Sequence, residues 1–208
     1  MKKLIYTLLG EGIAEDAFIP AYIQSVAKVK NIQTVRSRLK ISTSSKPSMS
    51  KVLDHLESFC IQSLVQNNEQ LFIAGIDLDK PDHTDKQELY KARIQELKNK
   101  LGTLYGKYEN KIILFVPVQC IDHWLYYQYY KIDKSEKPSN NSLESQSGKE
   151  IKKMLYGNRR DGGQIKEITA KIIKDCDFDE LAKQSRSFRN FHEKVTKFID
   201  QLLKDKAI

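Results

Sequence analysis

The first 118 residues alternate between short, almost wholly apolar runs and longer stretches whose apolar positions recur at helical spacing. Residues 4–9, 71–76 and 111–118 read as strands buried on both faces, and 111–118 is the clearest of them. Residues 32–41 alternate more weakly and predict a second strand in chain order. Between strands, Phe18, Tyr22 and Val26, with Ile19 and Ile23 beside them, mark a helix reaching about Val29. Glu15 and Asp16 in its first turn complement the helix dipole, and Pro20 falls in its opening turns. Ser50 is the expected cap of a helix through Val52, Leu53, Leu56, Phe59, Cys60 and Leu64, ending at Asn67-Asn68. Thr84 with Gln87 forms a capping-box pattern before Leu89, Ile94, Leu97 and Leu101, with Gly102 and Gly106 as terminators.

Beyond the last strand the pattern changes. Residues 134–149 are polar, rich in Ser, Asn and Gly, and read as a mobile loop or insertion. After them come helical pieces at 150–156, 165–174 and 178–182. A long last helix at 187–204 carries Phe188, Phe191, Val195, Phe198, Ile199 and Leu202 on one face. Strands alternating with helices predict an α/β fold, a mostly parallel, Rossmann-like sheet flanked by helices with a helical C-terminal part. The division is a core at 1–133, a loop at 134–149 and a helical region at 150–208 packed on the core.

Composition narrows the function. At 208 residues the chain suits one domain and buries roughly 70% of its unfolded surface without staples. No apolar run is long enough to span a membrane, and the N-terminus reads as a first strand rather than a signal peptide. Cys60, Cys120 and Cys176 lack metal-site or disulfide spacing, which fits a reducing cytoplasm. Thirty-five Lys and Arg against 27 Asp and Glu leave a net charge of +8. That excess suits nucleic acid as a partner, and equally a lysine-rich solubilising surface.

Two acidic stretches change the picture. Gly10-Glu11-Gly12 and Asp77-Leu78-Asp79 each follow a buried strand. In an open α/β sheet the carboxyl ends of parallel strands meet at one rim, where ligands bind. Carboxylates gathered there repel one another unless a cation neutralises them, and an oxygen-only donor set suits Mg²⁺. Glycines around Glu11 let the backbone bend and a ligand approach. In an extended segment Asp77 and Asp79 face one side while Leu78 turns to the core. The plainer readings are an incidental acid at a strand-end turn, and loop acids or helix caps.

Strand, Glu-Gly, helix, then strand ending in Asp-x-Asp resembles the Toprim domain of topoisomerases, bacterial primases and nucleases of the OLD and anti-phage type. More narrowly, residues 11–15, 77–79, 116–125 and 185–191 are similar to a compact family of stand-alone Toprim-like proteins, in an order that covers nearly the whole chain. Genes of that family often lie in mobile-element or defence neighbourhoods, sometimes beside an ATPase. The resemblance implies one or two Mg²⁺ ions, with Mn²⁺ as a substitute, held by Asp77, Asp79 and Glu11, with Glu11 also acting as general acid/base. It implies phosphodiester hydrolysis by a cytoplasmic effector with an ATPase partner, and it allows a homo-oligomer. Two departures stand out. Asp122 takes the place where Glu is commoner, and none of the ten tyrosines can be singled out as a topoisomerase nucleophile.

Other residues have two readings each. Asp122 completes the metal site or caps the helix bearing Trp124 to Tyr130. His123 is a proton shuttle or an exposed, inert histidine. Lys80 contacts phosphate or is simply solvated. Trp124, Tyr126, Tyr127, Tyr129 and Tyr130 stack unpaired bases or fill the core, with core the better reading for Trp124 and Tyr127. Arg159 and Arg160 form a basic turn that tracks a phosphate backbone. Arg186 and Arg189 bind substrate or dock the tail on the sheet. The sequence thus points to a Mg²⁺-dependent nuclease acting on DNA or RNA, transfer RNA included. The alternative is a non-catalytic binding subunit of a multiprotein defence complex.

Overall fold

The computed structural model describes residues 2–38, 48–82, 84–158 and 161–204. Its centre is a four-stranded sheet built from β1 (Lys2–Leu9), β2 (Ile32–Ser37), β3 (Leu71–Gly75) and β4 (Ile112–Phe115). The order is β2-β1-β3-β4 and every pairing is parallel. Period-two alternation divides each central strand between two cores. Leu4, Tyr6 and Leu8, Leu71 and Ile73, and Ile113 and Phe115 face one side. Leu9, Phe72, Ala74, Ile112 and Leu114 face the other. Because both faces are covered, these strands read as unbroken apolar runs rather than polar-apolar alternations.

Helix α1 (Ile13–Val29) joins β1 to β2 on the first face, with Pro20 inside it. Helix α2 (Met49–Cys60) has Ser48 rather than Ser50 at its N-cap position, without a side-chain capping bond, runs into a π-helical turn at Ile61–Gln66 and leads back to β3. It lies on the second face with α3 (Glu88–Leu101) and α4 (Thr103–Tyr108). The chain moves one way from β1 to β2 and the other way from β2 to β3. Right-handed crossovers then place α1 and α2 on opposite faces, and the winding reverses between β1 and β3.

Three local expectations change. The cap of α3 is Gln87 in the left-handed region, and Asp82, not Thr84, accepts the Tyr90 N–H at 2.9 Å. Gly102 ends α3, but Gly106 lies inside α4, whose exposed surface tolerates it. Strand β4 stops at Phe115, and 116–118 continue as buried rim backbone that accepts the Leu78 N–H at Pro117.

The rest of the chain covers the first face. It comprises α5 (Asp122–Lys134), α6 (Gly148–Tyr156), α7 (Gly162–Lys174), α8 (Phe178–Gln184) and α9 (Arg186–Lys204). Trp124 anchors this layer, with ring centroids 5.2 Å from Phe188 and 5.7 Å from Phe191. Its indole N–H donates to Ser187 Oγ at 2.9 Å. Lys2 Nζ donates to the Leu203 and Leu202 carbonyls at 2.6 and 3.3 Å, so the first strand holds the C-terminal end of α9. The polar stretch 134–149 is tied down as well. Leu143 and Glu144 are buried, Asn141 bonds the α8–α9 junction through Gln184 and Arg186, and Gln119 reaches the Glu144 carbonyl. Among the described residues no helix is long and apolar enough to cross a membrane.

Candidate functional site at the carboxyl rim

The winding reversal opens the sheet where β1 and β3 end, and the acids that follow these strands meet there. Glu11 Oε1 accepts the Asp77 backbone N–H at 2.7 Å, which bridges the two strand ends. Asp77 is buried and its Oδ1 accepts the Ile121 N–H at 3.1 Å, drawing in the chain that leaves β4. Asp122, one residue on, is in the first turn of α5 and does not cap it. Its side chain turns inward, where Oδ1 accepts the Tyr156 hydroxyl at 2.7 Å and Oδ2 lies 3.6 Å from Lys152 Nζ. Helix α6 thus reaches from the C-terminal layer into the rim.

The sequence reading missed Glu15. It belongs to the apolar stripe of α1 with Phe18, Ile19 and Tyr22, and it is only 3% exposed. That register was the available signal, since an acid at a core position of an amphipathic helix needs a reason. Gly10 and Gly12 give it room. A Cβ on Gly10 would meet Glu15 Cβ at 2.9 Å, and one on Gly12 would lie 3.5 Å from Glu15 Oε2.

Burial and repulsion make the Glu11, Glu15 and Asp77 carboxyls hard to ionise. Burial is the larger cause in each case. The Glu15 carboxyl is pushed up to about 7, with Asp122 and Glu11 adding repulsion. Asp77 is held well above the ordinary carboxylate range by burial and then by Glu15, Glu11 and Asp122. Glu11 is raised by burial and by Asp79, against the Asp77 N–H, Arg93 and Lys152. Lys152 is the cation that acts on Glu11, Glu15 and Asp77 alike.

Asp79 departs from the expected alternation. Leu78 turns to the second core as anticipated, but Asp79 has φ of 56° and its side chain is exposed. The strand has already ended at Gly75, so period-two geometry no longer governs the residue. Asp79 instead lines an open cleft of about 620 Å³ beside the acid cluster, together with Lys149, Lys152 and Lys153.

Other candidates fall into place around this rim. His123 is buried, not exposed. Its Nε2 faces the Gln146 carbonyl at 3.0 Å, which fixes the tautomer and leaves Nδ1 to accept from the Cys120 thiol at 3.3 Å. Burial lowers the His123 pKa, and burial with Asp122 and Asp77 raises that of Cys120, so this pair is a neutral tie and not an activated nucleophile. Trp124, Tyr126 and Tyr127 are core; Tyr129 and Tyr130 are half-buried against it. Arg189 donates to the Ala182 and Lys183 carbonyls, and Arg186 reaches Asp85 and the Asp82 carbonyl, so both arginines join parts of the fold. Lys80 is exposed. Arg159 and Arg160 lie outside the described residues.

The donor chemistry at the rim is oxygen only, the kind a hard divalent cation takes. Among the described residues, though, no three His, Cys, Asp or Glu side chains stand in an arrangement that could hold a metal ion. The oxygens are engaged by backbone N–H groups, Tyr156 and Lys152 instead. No family model matches the chain, and neither a characterised protein nor a solved structure matches it significantly.

Proposed function

We propose that this chain is a Mg²⁺-dependent nuclease that hydrolyses phosphodiester bonds in nucleic acid, with its site at the β1–β3 rim. One observation carries the reading: Glu11, Glu15, Asp77 and Asp122 gather at one buried rim, where Glu11 and Asp122 both act against ionisation of Glu15 and Asp77. Such a cluster is poorly suited to structural stability and well suited to a site that a bound cation completes. Glu11 and Asp77, with Asp79 turned in from the cleft, would have to close together to hold Mg²⁺, or Mn²⁺ in its place, because no such group is preformed among the described residues. The ion would supply charge neutralisation for the phosphoryl oxygens and a more acidic bound water. Glu11 is half-buried and burial raises its pKa, which suits a carboxylate acting as general acid/base. Asp122 is oriented by Tyr156 and Lys152 and positions the α6 side of the site.

The setting we assign is the cytoplasm, where the free cysteines Cys60, Cys120 and Cys176 stay reduced. The role we assign is that of a defence effector working with an ATPase, on the strength of the sequence resemblance. A second reading, a non-catalytic binding subunit, is favoured by one feature: Lys152 already balances Asp122, so the cluster persists without a metal.

Incubating the purified chain with Mg²⁺ or Mn²⁺ and plasmid, single-stranded DNA and total transfer RNA separates the two, with Asp77→Asn alongside. Cleavage by the wild type and not by the variant is the expected result. If the wild type stays silent even with an ATPase encoded beside its gene added, the binding-subunit reading is the better one.

A further inference from the structure

The cleft beside the acid cluster has an unusual wall. Lys149, Lys152 and Lys153 stand at i, i+3 and i+4 on α6, so they share one helix face, and all three line the cleft. Among the described residues, the one acid that lines it is Asp79. The first and last of these lysines rise about 6 Å along the helix axis. Lys149 and Lys153 are exposed, whereas Lys152 is half-buried and points back to Asp122. The lysine face is therefore continuous with the acid cluster at one end and open to solvent at the other.

The N-terminus of α6 does not compete for an anion. Ser147 and Glu150 close a reciprocal capping box, with Glu150 N–H on Ser147 Oγ at 3.3 Å and Ser147 N–H on Glu150 Oε2 at 3.1 Å. The positive charge that lines the cleft is carried by lysine side chains, with Lys152 paired to Asp122.

We infer that the lysine face of α6 binds the phosphodiester backbone of a nucleic-acid strand and leads it past Asp79 to the acid cluster. This rests on the nuclease reading and names its substrate-binding wall, which the sequence did not single out. A strand fits better than a single nucleotide because the cations are spread along the cleft instead of converging on one point. The chain's net charge of +8 favours the same class of partner.

The test is fluorescence polarisation of labelled single-stranded DNA and RNA oligonucleotides in EDTA, across a range of salt concentrations. The proteins compared are the wild type, Lys149→Glu/Lys153→Glu and, as a control, Lys194→Glu/Lys197→Glu. The control lysines line a separate cleft of about 590 Å³ at the opposite end of β4. Trp124 emission reports whether each variant keeps its core. The expected result is a loss of at least tenfold in affinity for the α6 variant, with a salt slope smaller by about 1.4, and wild-type binding by the control. Equal binding by the wild type and the α6 variant overturns the placement and leaves the nuclease reading standing. No binding by the wild type overturns the inference as well, while the nuclease reading is decided by the cleavage assay.

Discussion

Glu11 and Asp77 each lie two residues past the end of neighbouring parallel strands, and the carboxylate of the first accepts the backbone N–H of the second at 2.7 Å across the point where the sheet reverses its winding. One acid thereby fixes the backbone that presents the other. Structural and chemical roles of Glu11 can be separated by substitution. Glu11→Gln keeps an acceptor for the Asp77 N–H, and we expect stability within about 1 kcal/mol of the wild type with cation-dependent activity abolished. Glu11→Ala strands that N–H and should cost about 1–3 kcal/mol in addition. Urea denaturation of the two variants checks this, and equal stability would contradict the bridge.

Gly75 ends β3 against β4 with no space for a side chain. A Cβ there would lie 2.4 Å from the Phe115 carbonyl oxygen, a backbone atom that cannot yield without parting the strands. Gly75→Ala should destabilise the protein by about 3 kcal/mol, read as a fall in denaturation midpoint. A loss below about 1 kcal/mol would show that the strands separate easily.

Ser187 joins the C-terminal layer to the rim. Its hydroxyl oxygen accepts from Trp124 Nε1 at 2.9 Å and from the Val118 N–H at 3.3 Å, all three groups buried. Ser187→Ala leaves both donors unpaired and should cost about 2–3 kcal/mol. Trp124 is the only tryptophan, so the change can be followed by its emission during unfolding. Unchanged stability would mean that the tail docks by its apolar face alone.

Glu144 makes stability depend on pH. Burial pushes its carboxyl from 4.5 up to about 7, against the pull of Arg186 and Ser185, while Asp82 adds repulsion. Its Oε2 is buried without a partner among the described residues. Between the unfolded value and about 7 the folded protein holds a proton that the unfolded chain has lost. Stability therefore falls as pH rises through that window, by at most about 3 kcal/mol from this group, and stays reduced above it. Glu144→Gln should match the wild type at pH 4 and be the more stable protein at pH 8. A difference that does not vary with pH would contradict this.

Much of the fold was legible in the residues. Strands 71–75 and 112–115 are buried on both faces, so their sequences carry no polar interruptions, and the helical stripes of α1, α2 and α9 match their buried faces. Glu11 and Asp77 were legible because they follow such strands directly. Asp79 was less so, because period two stops with the ladder and a positive φ redirects the next residues. Lys152 and Tyr156 were not legible at all. They reach Asp122 across more than 29 residues through helix packing, and no local pattern encodes that. Asp82 displaced the expected Thr84 cap for a similar reason: its carboxylate reaches the Tyr90 N–H from eight residues away.

The central claim is that the acid cluster takes up a divalent cation, and binding tests it without requiring a substrate or an activating partner. Mn²⁺ would be titrated into the purified wild type and Asp77→Asn, with free ion followed by electron paramagnetic resonance. Asn retains an oxygen for the Ile121 N–H, so the variant should keep its fold. The account predicts saturable binding to the wild type, displaced by Mg²⁺ and weakened at least tenfold in the variant. Equal binding by both proteins, or no saturable binding by either, would contradict it.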